Sequence, residues 1–503
     1  MADSDLHLVS LYHTHEKEVA GSILADATYE DLNMDDFFCS VDCTSSRIGQ
    51  QYLYHLLHYN KRSGVEEQEE LIGKLTREPD LRLKLIDTLK KLHHPDAYYI
   101  ASLFTGSIPE PPRKKLRLLS VCRFFPFVFL GLMLLFHQPL FVILLVASLV
   151  ANAILHYRDK AQIHQFCFSV PQLVRLLQQA EKLCSEEGFL KVDPGISATL
   201  EELQTLKKQL ISFRLSIRLD NDMALLAYLF TELVNIFFLT EAYSINKAFV
   251  SLTNKQKQIK EIFVFVGKLD VLCSISLLRE QLPYYCLPQN CGTDERLIAR
   301  SVYHPLIEDA VSNDITIDRK SVLITGSNMS GKTSFIRTIG INLLSAKILN
   351  TCFARHFCVS LTMKLSSAIH TADSLTEGKS YFLQEVDQTK RLIDESVSGN
   401  YMFLLDEPFK GTNAKERIAI GKAVLSALAR NGNIVLISTH DLELARLLED
   451  EYDLYYFSES VQEDILSFDY KVKKGIANER NAIKMLEIFE YPEDIIRDAY
   501  SHT

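Results

Sequence analysis

The sequence predicts an α/β domain with a mostly parallel sheet over its last two hundred or so residues. Before it comes an all-α region into which a hydrophobic helical hairpin is inserted. Three observations predict this. Short β-rich runs at Ser321–Thr325 (SVLIT), Tyr401–Leu405 (YMFLL) and Ile434–Ser438 (IVLIS) alternate with helical patterns, the signature of a doubly wound sheet. Upstream, apolar residues recur at helical spacing with charges between them. Between these helical stretches, Leu118 to Tyr157 forms the most apolar stretch of the chain.

The 503 residues suffice for two or three domains, and 47% apolar with 23% charged residues is ordinary for a folded protein. A net charge of −10 gives no global drive toward nucleic acid or anionic lipid, although a local basic patch remains compatible with it. The ten cysteines are scattered, with no CxxC pair and no second pair to match Cys39 and Cys43. That pattern fits reduced, mostly buried thiols rather than disulfides or zinc. The acidic start, Met1-Ala2-Asp3-Ser4-Asp5, argues against a cleaved signal peptide.

Residues 1–115 are expected to be helical, with stripes at Leu71, Ile72, Leu75, Leu81, Leu85 and Leu89 separated at Pro79. Pro109, Pro111 and Pro112 then break the chain, and Arg113, Lys114, Lys115 and Arg117 form a basic cluster. Residues 116–158 form the hairpin: Phe124–Phe136 and Pro139–Leu155 carry no charge, and His137-Gln138-Pro139 interrupts them. Extended to their flanks, the runs approach the ~20 residues a spanning helix needs. Basic residues on both outer flanks, with Arg158 and Lys160 on the far side, place both in the cytoplasm if the hairpin crosses a bilayer. The competing reading is a buried core element or a partner-binding surface. Residues 159–295 return to helices, with a stripe at Leu173, Leu176, Leu177, Ala180 and Leu183 and a second long candidate over Met223–Phe249.

Residues 296–503 carry the chemistry. Gly326-Ser327-Asn328-Met329-Ser330-Gly331-Lys332-Thr333 fits GxxxxGK[ST], follows the SVLIT strand and opens a helical pattern at Ser334. This is a P-loop: its glycines let backbone N–H groups wrap phosphates at a helix N-terminus, a nucleotide site extending to Ser334. Lys332 is expected on the β- and γ-phosphates and Thr333 on Mg²⁺. Tyr401–Leu405 ends in Asp406-Glu407, where Asp406 is placed to hold Mg²⁺ and Glu407 to activate the attacking water. Ile434–Ser438 leads into Thr439-His440-Asp441, placing His440 near the γ-phosphate. The candidate catalytic set is therefore Glu407, His440 and Lys332.

Together these motifs resemble the MutS family of mismatch-repair ATPases. GSNMSGKT looks like that family's GPNMGGKS, and Tyr303-His304-Pro305-Leu306-Ile307-Glu308 resembles its RHPxxE. Ser380-Tyr381-Phe382-Leu383-Gln384-Glu385 resembles its SxFxxE signature. Asp406 to Thr412 looks like its DEIGRGT, and Ser438-Thr439-His440 matches its [AS]TH. Gly475 to Ala499 resembles the closing helix-turn-helix that helps dimerise the ATPase domains. Weaker similarity reaches Asn33–Phe38, Asp42–Gly49, Lys268–Leu272 and Tyr285–Pro288, like the family's helical core and levers.

The resemblance implies a P-loop NTPase fold and a homodimer hydrolysing ATP to ADP and phosphate with Mg²⁺. Ser380 would complete the partner's site in trans, and no tightly bound organic cofactor is expected. DNA, mismatched or branched, becomes a candidate partner, with the ATPase domain at the cytoplasmic face of an inner or plasma membrane. The alternative is a membrane-anchored ATP-driven switch acting on protein or lipid without DNA. A transporter subunit is disfavoured because LSGGQ is absent. The sequence also departs from the family. Nothing resembles the mismatch-reading or connector domains, and Lys410 stands where Arg is usual. Pro408 is closer to transporter ATPases, and the adenine-packing aromatic is replaced near Val311.

Overall fold

The computed structural model describes residues 3–16, 23–105, 113–163, 168–214, 234, 237–291, 296–327, 329–369, 381–462, 465–476 and 491–501. They fall into two compact units. One comprises residues 1–17, 42–55 and 70–277; the other comprises 18–41, 56–69 and 278–503.

The first unit is helical. The expected break at Pro79 separates helices Glu69–Arg77 and Pro79–Leu89, because proline tolerates only the first turn of a helix. The stripe at Leu173, Leu176, Leu177, Ala180 and Leu183 is buried on helix Ser169–Cys184, which packs against helix Ile196–Arg214, where Leu200, Leu203 and Leu210 are buried too. Segments Asp42–Gly49 and Lys268–Leu272 meet here. Asp270 of helix Gln256–Gln281 is fully buried and accepts the amides of Ser45 (2.9 Å) and Ser46 (2.8 Å) and the Ser46 hydroxyl (2.5 Å). Gly49 has no side chain because a Cβ there would run into the Asp270 carboxyl group.

The hairpin belongs to this unit. Helices Phe125–Phe136 and Pro139–Ile163 are joined at His137, whose amide closes the last helical turn on the Met133 carbonyl (3.0 Å) and whose left-handed φ of 47° then turns the chain out of the helix. Lys115–Phe136 and Pro139–Arg158 are each long and apolar enough to cross a membrane, with a mean hydropathy of 2.2. Only 11% and 17% of these stretches is buried within the protein. The second helix is two-faced: Val142, Ile143, Val146, Val150 and Ile154 are exposed, while Ser148, Asn152 and His156 are buried.

The second unit holds two sheets. Strands β1 (Leu297–Val302), β2 (Asn313–Ile317) and β4 (His356–Val359) form a small antiparallel sheet in the order β2-β1-β4. The main sheet contains β3 (Ser321–Thr325), β5 (Lys364–Ala368), β6 (Tyr401–Asp406), β7 (Ile434–Ser438), β8 (Tyr452–Gln462) and β9 (Ile465–Lys474). Its order is β5-β6-β7-β3-β8-β9. Every pairing is parallel except β8 with β9. The three runs read from the sequence are β3, β6 and β7. They are apolar without alternation because helices cover both faces of a parallel sheet. Phe403, Leu405, Val435 and Ile437 pack with Leu425, Leu428 and Leu444 on one side. The other face receives helix α1 (Lys332–Ile348), which is nearly all buried.

Candidate functional site

Three neighbouring strands end at the same edge of the main sheet. Parallel register sets Asp406 of β6 beside Ser438 of β7, and Ser438 beside Ile324 of β3. Each loop leaving this edge carries one of the sequence motifs. That is where the crossover of an open parallel sheet leaves a crevice.

The glycine-rich loop leaves β3 and opens α1. Gly326 (φ 142°) and Gly331 (φ 98°) adopt conformations that side-chain-bearing residues rarely take, and a Cβ on Gly326 would lie 2.9 Å from the Phe457 carbonyl oxygen. Lys332 is buried, and its ammonium donates to the loop carbonyls of Gly326 (2.8 Å) and Ser327 (2.6 Å). The Ser330 hydroxyl also donates to Ser327 O (2.8 Å), tightening the turn, while Met329 stands 67% exposed.

The carboxylates come from β6. Asp406 receives the Thr333 hydroxyl on Oδ2 (2.8 Å) and the Ser438 hydroxyl on Oδ1. Glu407 is buried, with three cationic or titratable groups around it. Lys410 Nζ lies 2.7 Å from Oε2, His440 Nδ1 3.4 Å from Oε2, and Lys332 Nζ 4.0 Å from Oε1. Burial pushes the Glu407 carboxyl up. The Lys410 hydrogen bond and charge, with His440 and Lys332, outweigh that and hold it below the usual carboxylate range.

A cavity of about 480 Å³ opens beside the loop, lined by Lys332, Thr333 and Ser334 on one side and Ile307, Val311 and Tyr470 on others. A Cβ on Gly331 would lie 3.2 Å from the Tyr470 ring, so the glycine also admits this aromatic. His304 lines the cavity too. Burial, with the Arg337 charge, lowers its pKa to about 4, so it is neutral near pH 7. In that form its Nδ1 accepts the Leu306 amide (3.2 Å).

The structure thus gathers Lys332, Thr333, Asp406, Glu407 and His440 at one edge, with Gly326, Ser327, Met329, Ser330, Gly331 and Ser334 in and beside the loop. Asn328 and Ser380 lie outside the described residues, as does most of the Gly475–Ala499 segment. Sequence reasoning assigned no role to Ser438, Lys410, Glu385 or Tyr470. Ser438 and Glu385 stood inside quoted motifs, and Lys410 was noted only as a departure. Tyr470 carried no signal at all, since a lone tyrosine on an edge strand has no pattern to stand out from. Arg417 was missed as well; it holds Asp441, next to His440, through two bonds of 2.8 and 3.0 Å.

Comparison with known proteins agrees with this layout. The family model for MutS domain V matches residues 322–503. A DNA mismatch repair protein MutS of Thermotoga petrophila is 30% identical over 264 residues, covering 50% of this chain and 33% of that protein. A Thermotoga maritima protein of the same name is 28% identical over 261 residues, again covering 33% of the relative. One from Clostridium botulinum is 27% identical over 248 residues, covering 46% of this chain and 26% of the relative. The chain spans about a third or less of the length of these relatives. The matched stretch holds the glycine-rich loop, β6, β7 and all but the first residue of β3, so residues 322–503 are similar to MutS domain V.

Proposed function

We propose that the chain is an ATPase of the P-loop NTPase fold, hydrolysing ATP to ADP and phosphate with Mg²⁺ as a homodimer. We further propose that it couples this cycle to mismatched or branched DNA at a membrane. One observation carries the catalytic part. Buried Lys332 on the glycine-rich loop and Thr333 line one cavity, and behind them Asp406 lies 2.8 Å from the Thr333 hydroxyl and the buried Glu407 carboxylate 4.0 Å from the Lys332 ammonium.

The residues fit the groups they would hold. Lys332 donates to its own loop carbonyls, bonds that phosphate oxygens can replace with a charge-assisted gain. Thr333 and Asp406 offer hard oxygen donors 2.8 Å apart, suited to Mg²⁺, which when bound neutralises charge on phosphate oxygens. Glu407 accepts the proton of the attacking water, and His440 stands beside it to polarise the reacting groups. Ile307 and Val311 give the cavity an apolar wall for a base, with Tyr470 as its aromatic face. By the resemblance, Ser380 serves the partner's site.

The membrane part rests on the hairpin. The 20 residues Pro139–Arg158 lie within one helix and span about 30 Å, the thickness of a bilayer core, while the 22 residues Lys115–Phe136 comprise two helical segments with a turn at Arg123-Phe124. Their exposed apolar faces and basic flanks favour insertion with both ends, and the ATPase domain, on the cytoplasmic side. The same feature favours a second reading, an ATP-driven membrane switch without DNA.

Steady-state ATPase activity of the detergent-purified chain, beside Lys332→Ala, tests both readings with homoduplex, mismatched and branched DNA. A Lys332-dependent rate raised by DNA supports the first reading. A Lys332-dependent rate indifferent to DNA, but lost in Ile143→Arg/Val146→Arg, supports the second. No Lys332-dependent rate overturns the ATPase reading.

A further inference from the structure

The loop that leaves β6 is held in an unfavourable conformation. Glu407 (φ 44°) and Phe409 (φ 66°) both sit in the left-handed region, on either side of Pro408, which has a fixed φ and no N–H to donate. Non-glycine residues stay there only when their surroundings over-determine them. One end of the loop is fixed by the Glu407 amide on the Ser438 carbonyl (2.9 Å), the other by Asn413, which caps the helix Ala414–Leu428. Between these ends the Phe409 ring is buried, and one side chain from another element grips the backbone.

That side chain is Glu385, on helix α2 (Tyr381–Ser396). Its carboxylate is buried at 6% exposure, and each oxygen takes one of two consecutive amides: Lys410 N on Oε1 (3.1 Å) and Gly411 N on Oε2 (3.2 Å). Two adjacent N–H groups turned toward one anion form a small backbone nest, and charge-assisted bonds of this kind are the stronger class. Glu385 thus fixes the peptide bearing Lys410, whose ammonium in turn meets Glu407.

We propose that Glu385 is a positioning residue for hydrolysis. Its carboxylate clamps the Lys410 and Gly411 amides and thereby holds the strained 407–411 turn that aims Glu407 at the water to be activated. This rests on the ATPase reading above. Lys332, Thr333 and Asp406 lie on other elements, so losing the clamp should spare nucleotide binding and impair turnover.

The test uses the full chain in detergent, with Glu385→Ala and Glu385→Gln beside wild type and Lys332→Ala. Misplacing a reacting group by about 1 Å can cost on the order of 10²-fold in rate. Glu385→Ala is therefore expected to lower kcat by roughly ten- to a hundredfold, with KM for ATP changed less than about threefold. Glu385→Gln keeps one acceptor oxygen and should fall between. Hydrogen exchange read on peptides covering 407–413 should accelerate in Glu385→Ala while the sheet peptides stay protected, which separates loss of the clamp from unfolding. A wild-type kcat in Glu385→Ala, or a loss confined to KM, overturns the positioning role, and unchanged exchange overturns the clamp itself. A wild type without Lys332-dependent turnover sinks the ATPase reading and the catalytic role together; the exchange measurement still decides the clamp.

Discussion

Lys410 sets its ammonium 2.7 Å from the buried Glu407 carboxylate three residues earlier in the chain. The pair is asymmetric: the Lys410 side chain is 44% exposed, whereas that of Glu407 is 6% exposed. The lysine reaches in from solvent to offset a charge that burial alone would push toward protonation.

Removing that ammonium should raise the Glu407 pKa. A general base works deprotonated, so activity is lost as pH falls through its pKa. Lys410→Ala is expected to move the acid limb of the kcat–pH profile to higher pH, and Lys410→Arg to leave it in place. The depressed pKa also ties stability to pH: its contribution is present above the ordinary carboxylate value of 4.5 and is lost as pH falls through the folded value. An acid limb that does not move in Lys410→Ala would remove the lysine from the electrostatics of the base.

Glu407→Gln keeps the shape of the side chain and removes its basicity. Turnover should drop by about 10²- to 10⁴-fold while ATP binding persists. Fluorescent-nucleotide titration beside single-turnover hydrolysis reads both. Loss of binding instead would make Glu407 a structural member of the loop.

Thr333 and Asp406 should act together on Mg²⁺. Thr333→Ala is expected to raise the Mg²⁺ concentration needed for half-maximal turnover, and Thr333→Ser to restore it, because only the hydroxyl faces Asp406. A Mg²⁺ titration that superimposes on wild type would count against the assignment.

Asp270 carries a pH-dependent term in the helical unit. Burial, with the Asp42 charge adding to it, lifts the carboxyl to about 7 from an ordinary 3.8, although the Ser45 and Ser46 hydrogen bonds pull the other way. The folded state then holds a proton that the unfolded chain lacks between those values. The stability this group contributes is full below 3.8 and is lost as pH rises through about 7. Asp270→Ala, which strands two amides and a hydroxyl, should cost roughly 2–4 kcal/mol. Asp270→Asn should flatten the slope in denaturation measured across that window.

Gly340 tests the packing of α1 on the sheet. Alanine there gains up to about 1 kcal/mol of helix propensity. Its Cβ, however, would come 2.5 Å from Leu404 Cδ1 and 3.2 Å from Leu32 Cδ2. Overpacking of this kind typically costs about 1–3 kcal/mol, so Gly340→Ala should lower the thermal midpoint. A midpoint equal to or above wild type would show that Leu404 gives way freely.

The sequence by itself determined what local pattern and short motifs can carry. The apolar runs of β3, β6 and β7 announced a parallel sheet, because strands covered on both faces cannot alternate. Spacing alone marked Gly326 to Thr333, Asp406-Glu407 and His440, since each motif is contiguous and sits where a strand ends. The hairpin was legible because two uncharged apolar runs, Phe124–Phe136 and Pro139–Leu155, flank the break at His137-Gln138-Pro139. Only the tertiary structure decided what depends on residues far apart in sequence. Register between β6 and β7 set the Ser438 hydroxyl on Asp406. Folding placed Glu385 of α2 beneath the Lys410 and Gly411 amides and brought Asp270 to Ser45 and Ser46. It also gathered residues 18–41 and 56–69 into the unit that holds the sheet. A buried carboxylate is bound by whichever amides the fold delivers, and no periodicity in the chain records which those are.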